Sequence, residues 1–175
     1  MFSRIQQKYP GIRFANLGIG EICVSSLPLA VSTVLGSCVA VTMFCPVTRT
    51  GGLFHALLPE RAPHGKLHDA EPCRFVDEGI RELLRQMERS GADMPRLVCK
   101  IFGGANAVFE EFYAVGMRNV DMARQVLAEE HRSVQSEDVG GTRGRKLFFI
   151  THTGEVFTKK LSSDVCFLPE GNANR

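Results

Sequence analysis

Residues 29–35 and 39–44 are two apolar, largely β-branched runs separated only by Gly36-Ser37-Cys38. β-Branched side chains lose rotamer freedom in a helix and pack well on a pleated surface, so each run predicts a buried strand. Gly36-Ser37 is a tight turn between them. Pro46 closes the second run, and the polar stretch 47–51 reads as a loop. Residues 52–58 form a third apolar run, ended by Pro59, which has no N–H to give a ladder. A chain with strand, tight turn, strand, loop and strand at its centre must build a sheet-rich core.

The flanking segments extend this pattern. Ile12-Arg13-Phe14-Ala15 alternates as a half-buried strand does, and residues 21–24 resume it after Gly18-Ile19-Gly20. Residues 60–71 are polar and read as an exposed loop. Val76, Ile80, Leu83, Leu84 and Met87 then recur at helical spacing, with Pro72 near the start of the helix and Gly91 just past its end. Residues 97–102 predict a strand before Gly103-Gly104-Ala105-Asn106. A second helix is expected from Asn119, a favourable N-cap residue, burying Val120, Ala123 and Leu127. Residues 133–139 predict a strand, and 146–151 with 155–160 a hairpin around Thr153-Gly154. The expected organisation is a loose lead-in over 1–11, one α+β domain over 12–168 with two main helices, and a polar tail over 169–175.

Composition narrows the function classes. The chain has 175 residues, 44% hydrophobic and 23% charged, an ordinary balance for one globular domain. A net charge of +2 gives no case for nucleic acid or an anionic membrane surface as partner. No apolar run approaches the roughly 18 residues of a membrane span, and the first ten residues lack the apolar centre of a secretory signal. The six cysteines (23, 38, 45, 73, 99 and 166) are therefore expected as reduced thiols of a cytoplasmic protein.

A free cysteine is usually a small buried hydrophobe, and a lone histidine in an apolar strand is usually a satisfied core group. Cys38 departs from that reading because it directly follows a tight turn. The turn would expose the thiol and leave backbone N–H groups free for an oxyanion. His55 lies in the neighbouring strand and has the chemistry of a general base. A third group should orient the imidazole, and Thr33 and Ser32 both carry a hydroxyl close to the turn. Elsewhere, His64, His68, Asp69 and Cys73 are too loosely spaced in a polar loop to predict a metal site. Gly103-Gly104 lacks the lysine of a phosphate loop and reads as a tight turn near the site. Arg143, Arg145 and Lys146 read as a solvated basic hairpin, with a docking surface for an acidic partner as the alternative.

Four blocks carry a family resemblance: Thr33-Val34-Leu35-Gly36-Ser37-Cys38-Val39-Ala40-Val41, the Gly51-Gly52…His55…Leu58-Pro59 segment, Lys100-Ile101-Phe102-Gly103-Gly104-Ala105, and Gly140-Gly141…Gly144-Arg145-Lys146 with Thr153-Gly154-Glu155-Val156. Together they resemble the CheD family, the bacterial chemoreceptor glutamine deamidases, over about residues 15–160. The resemblance implies a cysteine, histidine and threonine triad at Cys38, His55 and Thr33, with Ser32 as the other candidate for the third place. It implies an α+β sandwich similar to the catalytic domain of cytotoxic necrotizing factor. It further implies chemoreceptor cytoplasmic helices as substrate, a CheC-type phosphatase as partner, no cofactor or metal, and a monomer by default. Met117 departs from the pattern, standing where many members have glutamate. A chemotaxis adaptor that docks with little catalysis is the runner-up, and a protease or transglutaminase-like enzyme would use the same triad.

Overall fold

The computed structural model describes residues 1–61, 73–106 and 110–162, of which 110–114 as backbone. Its elements are α1 (Phe2–Lys8), β1 (Arg13–Asn16), β2 (Ile22–Ser25), β3 (Leu29–Leu35), β4 (Val39–Cys45), β5 (Thr50–Ala56), α2 (Val76–Arg89), β6 (Val98–Gly103), α3 (Glu110–Glu129), β7 (Val134–Val139), β8 (Arg145–Ile150) and β9 (Val156–Lys160). The fold is α+β. One sheet has the order β1-β3-β8-β9 and the other β2-β5-β4-β6-β7. Pairing is antiparallel except for β1–β3 and β6–β7.

The Gly36-Ser37 turn does not close a hairpin. It carries the chain out of the smaller sheet, where β3 pairs with β1 and β8, into the larger one, where β4 pairs with β5 and β6. Alternation along the strands then builds two apolar layers. Val31 and Leu35 on β3 meet Ala40, Leu53 and Phe102 between the sheets, with Leu147 and Phe149 of β8. Val39, Val41, Met43, Phe54 and Ala56 point the other way and bury the stripes of α2 and α3. In α2 that stripe is the expected Val76, Ile80, Leu83, Leu84 and Met87. Asp77 and Glu78 in its first turn and Arg89 in its last complement the helix dipole. Gly91, at φ +77°, ends it as expected.

Three expectations change. The first eleven residues are not loose throughout, because α1 occupies most of them and seats Ile5 against Ala30, Phe148 and Ile150 on the outer face of the smaller sheet. Met1 and Tyr9, four residues either side of Ile5, join the same contact, one apolar stripe too short to register as periodicity. The last long helix starts at Glu110 rather than at Asn119, which lies fully buried inside it. Arg145 is not part of a solvated basic patch. Its guanidinium is buried and donates to the Asp138 carboxylate and to the Asp138 and Gly140 carbonyls, locking the approach to β8. The loop that holds His64, His68, Asp69 and Pro72, and the tail from 169, lie outside the described residues. Among the described residues no helix is long and apolar enough to cross a membrane.

Candidate active site

The strand pleat brings the site together between the two sheets. Thr33 alternates with Val31 and Leu35 on the inner face of β3, and His55 alternates with Leu53 on the inner face of β5. Thr33 Oγ1 lies 2.8 Å from His55 Nδ1, so the contact bridges the sheets. The same hydroxyl donates to the Leu17 carbonyl at 2.8 Å. A hydroxyl has one proton, and here it is committed to Leu17. Thr33 therefore accepts from Nδ1–H, and the lone pair of the neutral ring sits on Nε2. That nitrogen is buried and has no hydrogen-bond partner among the described residues. Ser32 faces the other way and donates to Asn16 Oδ1 at 3.2 Å.

The loop before β2 fixes the histidine backbone from both sides. His55 N–H donates to the Glu21 carbonyl at 3.2 Å, and the His55 carbonyl accepts from Gly20 N–H at 2.8 Å. The Leu17 carbonyl and, more weakly, the Glu21 carboxylate favour the protonated ring.

Cys38 shares the His55 face. Ala40 stands opposite His55 in the β4–β5 ladder, and Cys38 precedes Ala40 by two residues. Cys38 still follows the neighbouring ladder, since its carbonyl accepts Gly104 N–H at 2.8 Å. This makes Cys38 and His55 diagonal cross-strand neighbours, at roughly 7–8 Å backbone separation, a distance that longer side chains span. The turn is held from below by the segment after β6: the Gly36 carbonyl accepts Ala105 N–H at 2.8 Å. Gly103 and Gly104 adopt φ +108° and +63°, but residues 104–106 form neither a hydrogen-bonded turn nor a bend, so the tight turn expected there is not what carries the chain out of β6. Neither Ser37 nor Cys38 spends its backbone N–H on a carbonyl among the described residues.

The thiol is not exposed by its turn, as the sequence suggested. It is 8% exposed, and His55 is 3% exposed. Burial pushes the Cys38 thiol up to about 11, against a smaller lowering by its own backbone N–H. Burial pushes the imidazole down to about 4. Desolvation disfavours the charged form of each, so at neutral pH the resting pair is thiol and free imidazole.

The histidine shift has a consequence for stability. An unfolded chain takes up the proton near pH 6.5, the folded one only near 4. Below pH 6.5 the unfolded state binds more protons, so this contribution is complete above 6.5 and is lost as pH falls toward 4. Its size is on the order of 3 kcal/mol. Chemical denaturation at pH 7 and pH 4.5 should show a marked loss of stability for the wild type and a clearly smaller one for His55→Gln. Equal losses would mean that His55 is not buried neutral.

Sequence reasoning missed Asn119. Its Nδ2 donates at 3.0 Å to both the Ser37 and the Leu57 carbonyls. The signal was its spacing, four residues from Ala123 and seven from Val126 on the buried stripe of α3. Among the described residues no cluster of three or more His, Cys, Asp or Glu is arranged to hold a metal ion.

Known proteins share this chain's sequence over most of its length. The family model described as CheD, chemotactic sensory transduction, matches residues 57–160. A Geobacter sulfurreducens protein named "Probable chemoreceptor glutamine deamidase CheD 2" is 45% identical over 157 residues, covering 89% of this chain and 94% of its own. Proteins named "Probable chemoreceptor glutamine deamidase CheD" from Nitratidesulfovibrio vulgaris and Thermococcus kodakarensis are 44% and 38% identical, covering 86% and 85% of this chain and 78% and 93% of their own. With these matches spanning most of both partners, the chain belongs to the CheD family.

Proposed function

We propose that this protein is a protein-glutamine glutaminase that deamidates glutamines of chemoreceptors, with Cys38 as nucleophile, His55 as general base and Thr33 as the residue that orients it. The observation that carries this reading is the buried Thr33–His55 contact of 2.8 Å, which leaves Nε2 as the basic nitrogen on the face that Cys38 shares. The names of the relatives supply the substrate class.

Thiol and imidazole are both neutral at rest, so proton transfer accompanies attack rather than preceding it. The sulfur bonds to the side-chain amide carbon while Nε2 takes the thiol proton. The carbonyl π electrons move to oxygen, where the free N–H groups of Ser37 and Cys38 are candidates to receive the charge. The tetrahedral adduct collapses, the C–N bond breaks, and the imidazolium gives its proton to departing ammonia. A thioester remains. Water attacks it with Nε2 as base, the C–S bond breaks, and the thiolate recovers its proton from the ring. The imidazolium and the anionic adduct form together, and their attraction offsets the burial that disfavours either charge alone.

In this reading the substrate is the cytoplasmic helical part of a receptor, the protein works in the cytoplasm as a monomer, and a CheC-type phosphatase is its partner. Mass spectrometry of a receptor cytoplasmic fragment tests it. Each deamidation adds about one mass unit, since an amide becomes an acid by acyl transfer to water. Mass gain is expected with the wild type and none with Cys38→Ala. Binding of the fragment without mass gain from either would replace this reading with that of a docking adaptor.

A further inference from the structure

The catalytic turn and the end of the histidine strand are separate pieces of chain, and one side chain joins them. Asn119, fully buried in the middle of α3, donates through Nδ2 to the carbonyl of Ser37, next to Cys38. It donates through the same nitrogen to the carbonyl of Leu57, two residues after His55. Both bonds are 3.0 Å, and both amide protons are used. Its Oδ1 is buried with no partner among the described residues. Leaving an amide oxygen unpaired in the interior is unfavourable. A site that retains the amide despite this uses it for its two donors.

We infer that Asn119 is a positioning residue for the proposed reaction: its amide ties the nucleophile turn to the residues just past β5, and so helps set where Cys38 stands relative to His55. The β4–β5 ladder begins just past the turn, where Val39 pairs with Ala56, and Asn119 adds a side-chain tie from Ser37 to Leu57 where that ladder stops. Gly104 and Ala105 tie the turn to the end of β6, and the Arg74 carbonyl accepts the Leu57 and Leu58 N–H groups. Met117, two residues earlier on α3, is only half-buried and makes no such link. The clamp explains why a polar residue interrupts the apolar stripe of α3 at the point where that helix passes beneath the turn.

The inference rests on the deamidase reading for its activity readout, and a second readout separates the two. Asn119→Ala is compared with Leu127→Ala, which opens the core along the same helix two turns away. Asn119→Ala is expected to lower kcat for deamidation roughly 50-fold with little change in KM, because a misplacement of about 1 Å costs on the order of 10²-fold. Leu127→Ala should keep kcat within about threefold at a temperature where both are folded. Independently of any substrate, iodoacetamide labelling followed by peptide mass spectrometry reads each thiol. In Asn119→Ala the Cys38 labelling rate should rise about tenfold while Cys99, fully buried in the other apolar layer, stays slow. Should the alanine variant prove insoluble, Asn119→Ser keeps one donor and should fall between it and the wild type in both readouts. Labelling of Cys38 and Cys99 that rises together, or a Cys38 rate that does not change, would overturn the clamp. If the wild type itself shows no deamidation while Cys38 labelling responds selectively, the deamidase reading fails and the clamp stands.

Discussion

Replacing His55 with alanine is expected to lower kcat for glutamine deamidation by about 10⁴-fold, and Thr33→Val by about 10²-fold. The difference follows from what each group does. Without His55 the proposed acceptor of the thiol proton is gone, and a thiol held near 11 by burial is almost wholly un-ionised at neutral pH. Without the Thr33 hydroxyl the imidazole is still present, but Nδ1 loses the hydroxyl 2.8 Å away and is left with only the weaker pull of the Leu17 carbonyl. The ring is then free to change tautomer or turn, and the fraction of molecules with a basic Nε2 facing Cys38 falls. Losing both hydroxyl contacts in a buried site should lower stability by about 1–3 kcal/mol. Thr33→Ser keeps the hydroxyl and should recover most of kcat. Ser32→Ala should leave kcat unchanged, because Ser32 bonds to Asn16 on the opposite face of β3. Steady-state kinetics on a receptor fragment would measure all four. A Thr33→Val enzyme with wild-type kcat would remove the threonine from the mechanism, and an active His55→Ala would remove the histidine.

The parts of this site that the sequence displayed, and those it hid, divide along physical lines. Strands β3, β4 and β5 were legible because β-branched runs bounded by Gly and Pro have few other solutions. The thiol after a turn and the imidazole in the next apolar run were legible as residue types. Partnership was not. Nothing in Gly36-Ser37 says that the strands on either side leave for different sheets, yet that departure is what brings Thr33 of one sheet onto His55 of the other. Choosing between Thr33 and Ser32 needed the pleat, since neighbouring residues of a strand face opposite layers. Burial was hidden as well. A turn suggested an exposed thiol, whereas Cys38 packs into the apolar layer between the sheets with Leu17, Val31, Leu35 and Phe102, and that burial accounts for the neutral resting pair. Arg145 and Asn119 were misread for one shared reason. Local polarity suggests solvent or a helix cap, and only the tertiary structure supplies the carbonyls that let a polar group sit inside.

Gly103→Ala is the backbone change with the largest expected effect. Gly103 adopts φ +108°, a region that side chains disfavour, and it faces Val39 across the β4–β6 ladder. A Cβ there would stand 2.1 Å from the Cys38 carbonyl oxygen and 3.2 Å from Val39 Cα. Both are backbone atoms, so no rotamer change relieves the contact. Moving the oxygen to an ordinary van der Waals distance means displacing the nucleophile turn by about 1 Å, which is enough to cost on the order of 10²-fold in kcat. Conformational strain and the broken ladder together should destabilise the fold by about 3–5 kcal/mol. For a domain of this size that lowers Tm by roughly 10–15 °C. Gly91→Ala is the matched control. Its φ of +77° is equally unsuited to a side chain, but a Cβ there meets nothing within 4 Å. It should lose only about 1 kcal/mol and keep full kcat. The comparison therefore separates the strain of a positive φ, which both variants share, from the collision with Cys38, which only one has. If the two variants lose Tm and kcat equally, the Gly103 backbone does not set the position of the nucleophile. If Gly103→Ala alone loses both, the close approach of β6 to the turn is what holds the thiol in place.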